Sequence, residues 1–203
     1  MSEHFIYHFD FGLSPSAPPG VLRAFQALAR DDLPDPVDLE AFRASRFLGK
    51  DEMTSFTGAV GSPVLVYETG FEPKETYGRY ETPAPTHGVC FRYWMSDHGY
   101  LGGDAILPFL LFDLVHDHGL FGTKIDEANR SRLDLFFKEF DDFIIQTLEI
   151  PSMAHTLPPD AAENRDGYLR GWQAASPDGF KLGAFMRFSP AEREEAIACA
   201  EQD

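Results

Sequence analysis

The sequence predicts a single α+β domain spanning residues 1–203, with an antiparallel or mixed sheet and helices packed on one face. Two observations carry this. Stretches of period-2 alternation, the mark of half-buried strands, share the chain with stretches whose apolar residues recur every three or four positions, the mark of amphipathic helices. The two kinds do not alternate regularly, so the βαβ rhythm of a parallel, doubly wound sheet is missing. With 203 residues, 43% of them hydrophobic, the chain can bury one substantial core.

The elements follow in order. From His4 to Phe11, aromatic residues (Phe5, Tyr7, Phe9, Phe11) alternate with His4, His8 and Asp10, which predicts a first strand. The SPSAPPG segment ends it. Val21, Leu22, Phe25 and Leu28 then predict a helix over 21–29. Asp35 followed by Pro36 reads as an N-cap with proline at the first helical position, opening a second helix over 37–48 that Gly49 closes. Residues 63–68 (PVLVYE) and 89–95 read as strands, with 72–86 between them as a turn or long hairpin loop and 99–103 (GYLGG) as a further break.

Residues 108–118 predict a buried helix stopped by Gly119. The strongest helical pattern covers 126–148, where Leu133, Phe136, Phe137, Phe140, Phe143, Ile144 and Leu148 form a stripe opposite charged residues. On this reading Phe140 is buried. A last strand covers 180–188. Ser189, Pro190 and Glu192 then make a capping box that starts a helix reaching about residue 200.

Charge narrows the function classes. There are 33 Asp and Glu against 17 Lys and Arg, a formal net charge of −16. Such a balance repels nucleic acid and anionic membranes and attracts basic surfaces. The first residues carry no basic stretch followed by an apolar one, and no 18-residue apolar run occurs, so residence in the cytoplasm is the expectation.

Catalytic and cofactor motifs are sparse. The GxSxG elbow, the GxxxxGK[ST] loop and GxGxxG do not occur, and Cys90 and Cys199 lack metal-ligand spacing, so no cofactor is implied. Cys90 with His87 is a candidate thiol–imidazole pair, although a strand would make Cys90 an ordinary buried thiol. His4 and His8 share a strand face but stand about 13 Å apart, too far to hold one ion.

Two constellations stand out. Between 93 and 123 there is no Lys or Arg, yet Asp97, His98, Asp113, His116 and Asp117 fall there, the residue types a divalent metal needs in a hydrolase. The other is carboxylate clustering: Asp31, Asp32, Asp35, Asp38 and Glu40 in one run, and Glu139, Asp141 and Asp142 on the outer side of the long helix. These eight acids are the candidate binding residues. The leading expectation is an acidic binding protein, not an enzyme, that neutralises a basic protein partner in the manner of toxin-inhibiting immunity proteins. The rival is a metal-dependent hydrolase using the Asp/His stretch; a mimic of nucleic-acid charge is a weaker third.

Overall fold

The computed structural model describes residues 3–32, 34–40, 64–69, 74–77, 80–83, 85–97, 106–116, 119–126, 132–149 and 181–200. Strands β1 (Glu3–Gly12), β2 (Leu65–Glu68), β5 (His87–Asp97), β6 (Gly119–Asp126), β7 (Arg132–Glu139), β8 (Asp142–Glu149) and β9 (Lys181–Phe188) form one antiparallel sheet in the order β2-β5-β1-β6-β7-β8-β9. A separate hairpin joins β3 (Lys74–Tyr77) and β4 (Tyr80–Pro83). Helices α1 (Pro19–Leu28), α2 (Pro36–Leu39), α3 (Ile106–Leu111) and α4 (Pro190–Ala200), with a 3₁₀ turn (Phe112–Leu114) after α3, complete the described elements. The fold is α+β, as the pattern of the sequence predicts.

β1 lies inside the sheet because its odd face is aromatic. Tyr7, Phe9 and Phe11 are buried, and β1 pairs with β5 on one side and β6 on the other. Register then lines up Phe9, Phe91, Gly122, Phe136 and Ile145 across five strands, a continuous apolar row on one face. Ring contacts from α1 (Phe25 to Phe91, 5.9 Å), α3 (Phe109 to Phe143, 4.5 Å) and the following 3₁₀ turn (Phe112 to Phe143, 6.0 Å) all fall on that face.

Two details make this packing possible. A β-bulge between Leu120 and Gly122 turns Phe121 toward the same face, where its ring meets Phe136 and Phe143. Gly122 must be glycine, since a Cβ there would stand 2.6 Å from Phe9 Cδ1. Farther along this face a polar row begins. Asp134 is buried, and it accepts hydrogen bonds from Arg132 Nε (3.0 Å) and Thr147 Oγ1 (2.7 Å).

Several elements depart from the sequence reading. The helix expected over 126–148 is instead the β7–β8 hairpin, joined by Phe140 and Asp141. Both faces of these strands are buried: Phe136, Phe143 and Ile145 on the helix-covered face, Leu133, Leu135 and Ile144 on the other. Two buried faces erase period 2, and a two-residue turn then mimics helical spacing. Phe140 is accordingly not in the core but 70% exposed.

The helix expected over 108–118 begins at Ile106, tightens into a 3₁₀ turn at Phe112–Leu114 and ends, with Val115 extended and bridged to Leu13. Gly119, with φ 132°, opens β6 instead of closing a helix. Within 72–86 the chain forms the β3–β4 hairpin. For α2 the Asp35 cap is present, its carboxylate accepting from Val37 N at 2.9 Å, while 41–49 and 99–103 lie outside the described residues. The capping box at α4 is formed: Glu192 Oε2 accepts from Ser189 N (2.9 Å) and from its hydroxyl (2.7 Å). Cys90 and His87 are three residues apart on β5 and so project to opposite faces, which removes that pairing.

Candidate binding surface

The first acidic run follows from how α1 ends and α2 begins. Asp31 takes a left-handed conformation (φ 61°) just past the helix, and Asp32 N returns to Ala27 O at 3.0 Å. Asp35 is occupied as the cap of α2. Asp38 is held by Arg23, whose Nη2 donates to Oδ1 at 2.6 Å and whose Nε donates to Oδ2 at 3.1 Å, a fork matched to a carboxylate. That bond and attraction hold the Arg23 guanidinium pKa above its ordinary value. Arg30 lies 3.6 Å from Asp32, both exposed. Glu40 is exposed as well. Three of the five acids therefore already serve the chain itself, as a cap or beside its own arginines.

The second cluster sits at the tip of the β7–β8 hairpin, not along a helix. Glu139 and Asp142 form the last cross-strand pair, with Phe140 and Asp141 as the loop. Arg187, opposite Ile144 on β9, donates one arm to Glu139 and the other to Asp142 Oδ2 at 3.0 Å. Asp141 is exposed. The tip thus keeps an excess of negative charge, about −2 for these four residues at neutral pH.

Phe140 gives this tip its character. A phenylalanine with φ 56° is an outlier, because its Cβ crowds the carbonyl that follows, and glycine or asparagine ordinarily takes that place. Here a turn whose backbone is strained at Phe140 holds the aromatic ring outward, between Glu139 and Asp141 in the chain. The ring face is electron-rich and the neighbours are anionic, so both attract guanidinium and ammonium groups. Sequence reasoning missed Phe140 as a surface residue and Arg187 as the cation that organises the tip.

The two acidic clusters are not one surface. Phe25 places α1 over β5, four strand spacings from β8, on the order of 20 Å across the sheet.

The Asp/His stretch is likewise divided. Asp97 pairs with Glu3 at one end of β1, whereas His116 N donates to Gly12 O at the other end, about 30 Å away along nine residues of strand. Asp113 forms an ion pair with Arg193 (2.8 Å). His98 and Asp117 lie outside the described residues. Among the described residues no group of three His, Cys, Asp or Glu side chains is placed to hold a metal ion, and no helix is long and apolar enough to cross a membrane.

Comparison of the chain with protein-family models, with curated proteins and with solved structures returned no match.

Proposed function

We propose that this chain is an acidic binding protein that neutralises a basic protein partner, in the way immunity proteins inhibit cationic toxins. The observation that carries the reading is the β7–β8 tip, where Phe140 is 70% exposed at positive φ between Glu139 and Asp141. An outward aromatic anchor ringed by like charge is the composition of an interface centre that seats a basic residue. The overall charge of −16 adds long-range steering toward such a partner. Asp31 and Glu40, both exposed, extend the acidic field on a second side.

Photocrosslinking tests the proposal. A photoreactive amino acid placed at position 140, and at the exposed position 65 outside both acidic clusters as a control, is activated in cells that express the chain, and the captured protein is identified and purified. Its association rate with the wild type should fall steeply between roughly 0.05 and 0.5 M salt, as the Debye length shortens from over 10 Å to under 5 Å. Phe140→Ala should raise the dissociation rate, and growth inhibition by the captured protein should be relieved by co-expression of the chain. Capture of an acidic protein, or a rate indifferent to salt, overturns the reading.

A further inference from the structure

The face of the sheet turned away from the apolar row holds a second group of reactive side chains, remote from the β7–β8 tip. Register sets Asp10 of β1 and Leu65 of β2 on either side of Cys90, and sets His8 opposite Arg92. His8 Nε2 stands 3.4 Å from Cys90 Sγ, with both residues half-buried. The Tyr67 hydroxyl donates to Asp10 Oδ1 at 2.8 Å. The groups facing the thiol are thus His8 and Asp10 from β1, Arg92 from β5 and Tyr67 from β2, with Thr123 of β6 beyond His8.

This arrangement suits proton transfer from sulfur to nitrogen. A thiolate forms readily where a basic imidazole is in contact and a cation is near, and Arg92 supplies that cation two residues along the same strand face. Asp10, directly across from Cys90, favours the imidazolium that results and opposes the thiolate, an opposition that Arg92 and the hydrogen bond from the Tyr67 hydroxyl to Asp10 reduce. A thiol and its base, flanked by groups that stabilise both charges, form the signature of an activated nucleophile.

We propose that Cys90 and His8 form a thiolate–imidazolium pair that makes Cys90 a reversible modification site for low-molecular-weight disulfides of the glutathione type. The proton of Sγ passes to His8 Nε2. The thiolate attacks one sulfur of the disulfide, the existing S–S bond breaks, and a new one joins Cys90 to half of the reagent. The other half leaves as a thiolate and takes a proton from solvent. Cys90 is oxidised and the disulfide reduced, with no further reagent; a small thiol reverses the step. The adduct would lie beside Leu65 and Tyr67 on the edge strand β2.

The test uses the full chain carrying Cys199→Ser, which removes the exposed second thiol. Alkylation of Cys90 by iodoacetamide is followed between about pH 5.5 and 9.5, and intact mass follows the adduct formed with oxidised glutathione. The alkylation profile should have its midpoint at least about one unit below the ordinary thiol value near 8.5, and His8→Asn should return it to that value. Mixed-disulfide formation at neutral pH should slow about tenfold in His8→Asn. A wild-type midpoint at or above the ordinary value overturns the proposal, whether or not His8→Asn folds. An adduct that appears only in denaturant overturns it too.

Discussion

Arg193 Nη2 donates to Asp113 Oδ1 at 2.8 Å, while the Arg193 Nε and Nη1 groups are buried and meet no acceptor among the described residues. The guanidinium lies 4.2 Å over the Phe112 ring, and Lys138 Nζ stands 4.6 Å from the same ring, donating to Phe112 O and Val115 O. Two cations therefore share one aromatic ring beneath α4. The Arg193 side chain is 9% exposed and that of Asp113 is 63% exposed, so the buried member of this pair is the cation.

Asp113→Ala should cost about 2 kcal/mol, because it leaves a desolvated cation with less compensation. Arg193→Met should be close to neutral or mildly stabilising, since it removes the charge and the unsatisfied donors while keeping the apolar contact with Phe112. Urea melts of both variants decide it. A larger loss for Arg193→Met than for Asp113→Ala would show that the ion pair is a net source of stability.

At the hairpin tip stability and binding should separate. Phe140→Gly should raise stability by about 1 kcal/mol by relieving the left-handed backbone, and Phe140→Ala should change it by less than about 1 kcal/mol. Both should weaken the partner complex. A loss of about 3 kcal/mol or more in Phe140→Ala, the scale of a core aromatic truncation, would contradict the exposed placement.

Gly122 and Gly88 offer a comparison of two crowded glycines. A Cβ at Gly122 would press on Phe9, which is fully buried and cannot yield, so Gly122→Ala should cost about 2 kcal/mol. At Gly88 the obstacle is the Tyr67 ring at 2.2–2.5 Å, and Tyr67 is partly exposed on the edge strand. Gly88→Ala should displace that ring, break its bond to Asp10 and cost less than Gly122→Ala in thermal melts. The reverse order would mean that Tyr67 is the more tightly held ring.

Glu192 sets an acid limit for α4. Its carboxylate accepts from the Ser189 hydroxyl and N–H, which lowers its pKa below the ordinary value near 4.5. A depressed folded-state pKa adds stability that is present above the ordinary value and lost as pH falls through the folded one. Glu192→Gln keeps an acceptor without a titration, so its melting temperature should fall less than that of the wild type between about pH 5 and 3. Parallel curves would remove Glu192 from the acid response.

Where one face of an element is buried, the sequence was legible. β1 shows clean alternation because Tyr7, Phe9 and Phe11 face the core while His8 and Asp10 do not, and the Ser189–Glu192 cap is written in local residues alone. β7 and β8 were not legible because both faces carry apolar residues and the turn between them lacks glycine. β6 was hidden by its bulge and two glycines. The acidic clusters were visible as composition, but not the pairing of some of their members with the chain's own arginines. Arg23 reaches Asp38 across 15 residues and Arg187 reaches Asp142 across 45, distances that only the folded chain closes.

β1 is the first described strand, yet its hydrogen-bonded neighbours β5 and β6 end only at Asp97 and Asp126. During synthesis more than a hundred residues must leave the ribosome before both flanks of β1 exist. β6, β7 and β8 follow one another and pair as neighbours, so folding is expected to begin in that meander and to finish with the insertion of β1. Until then Phe5, Tyr7, Phe9 and Phe11 present an aromatic ladder to solvent, a target for chaperones in the cell and for self-association in a refolding tube.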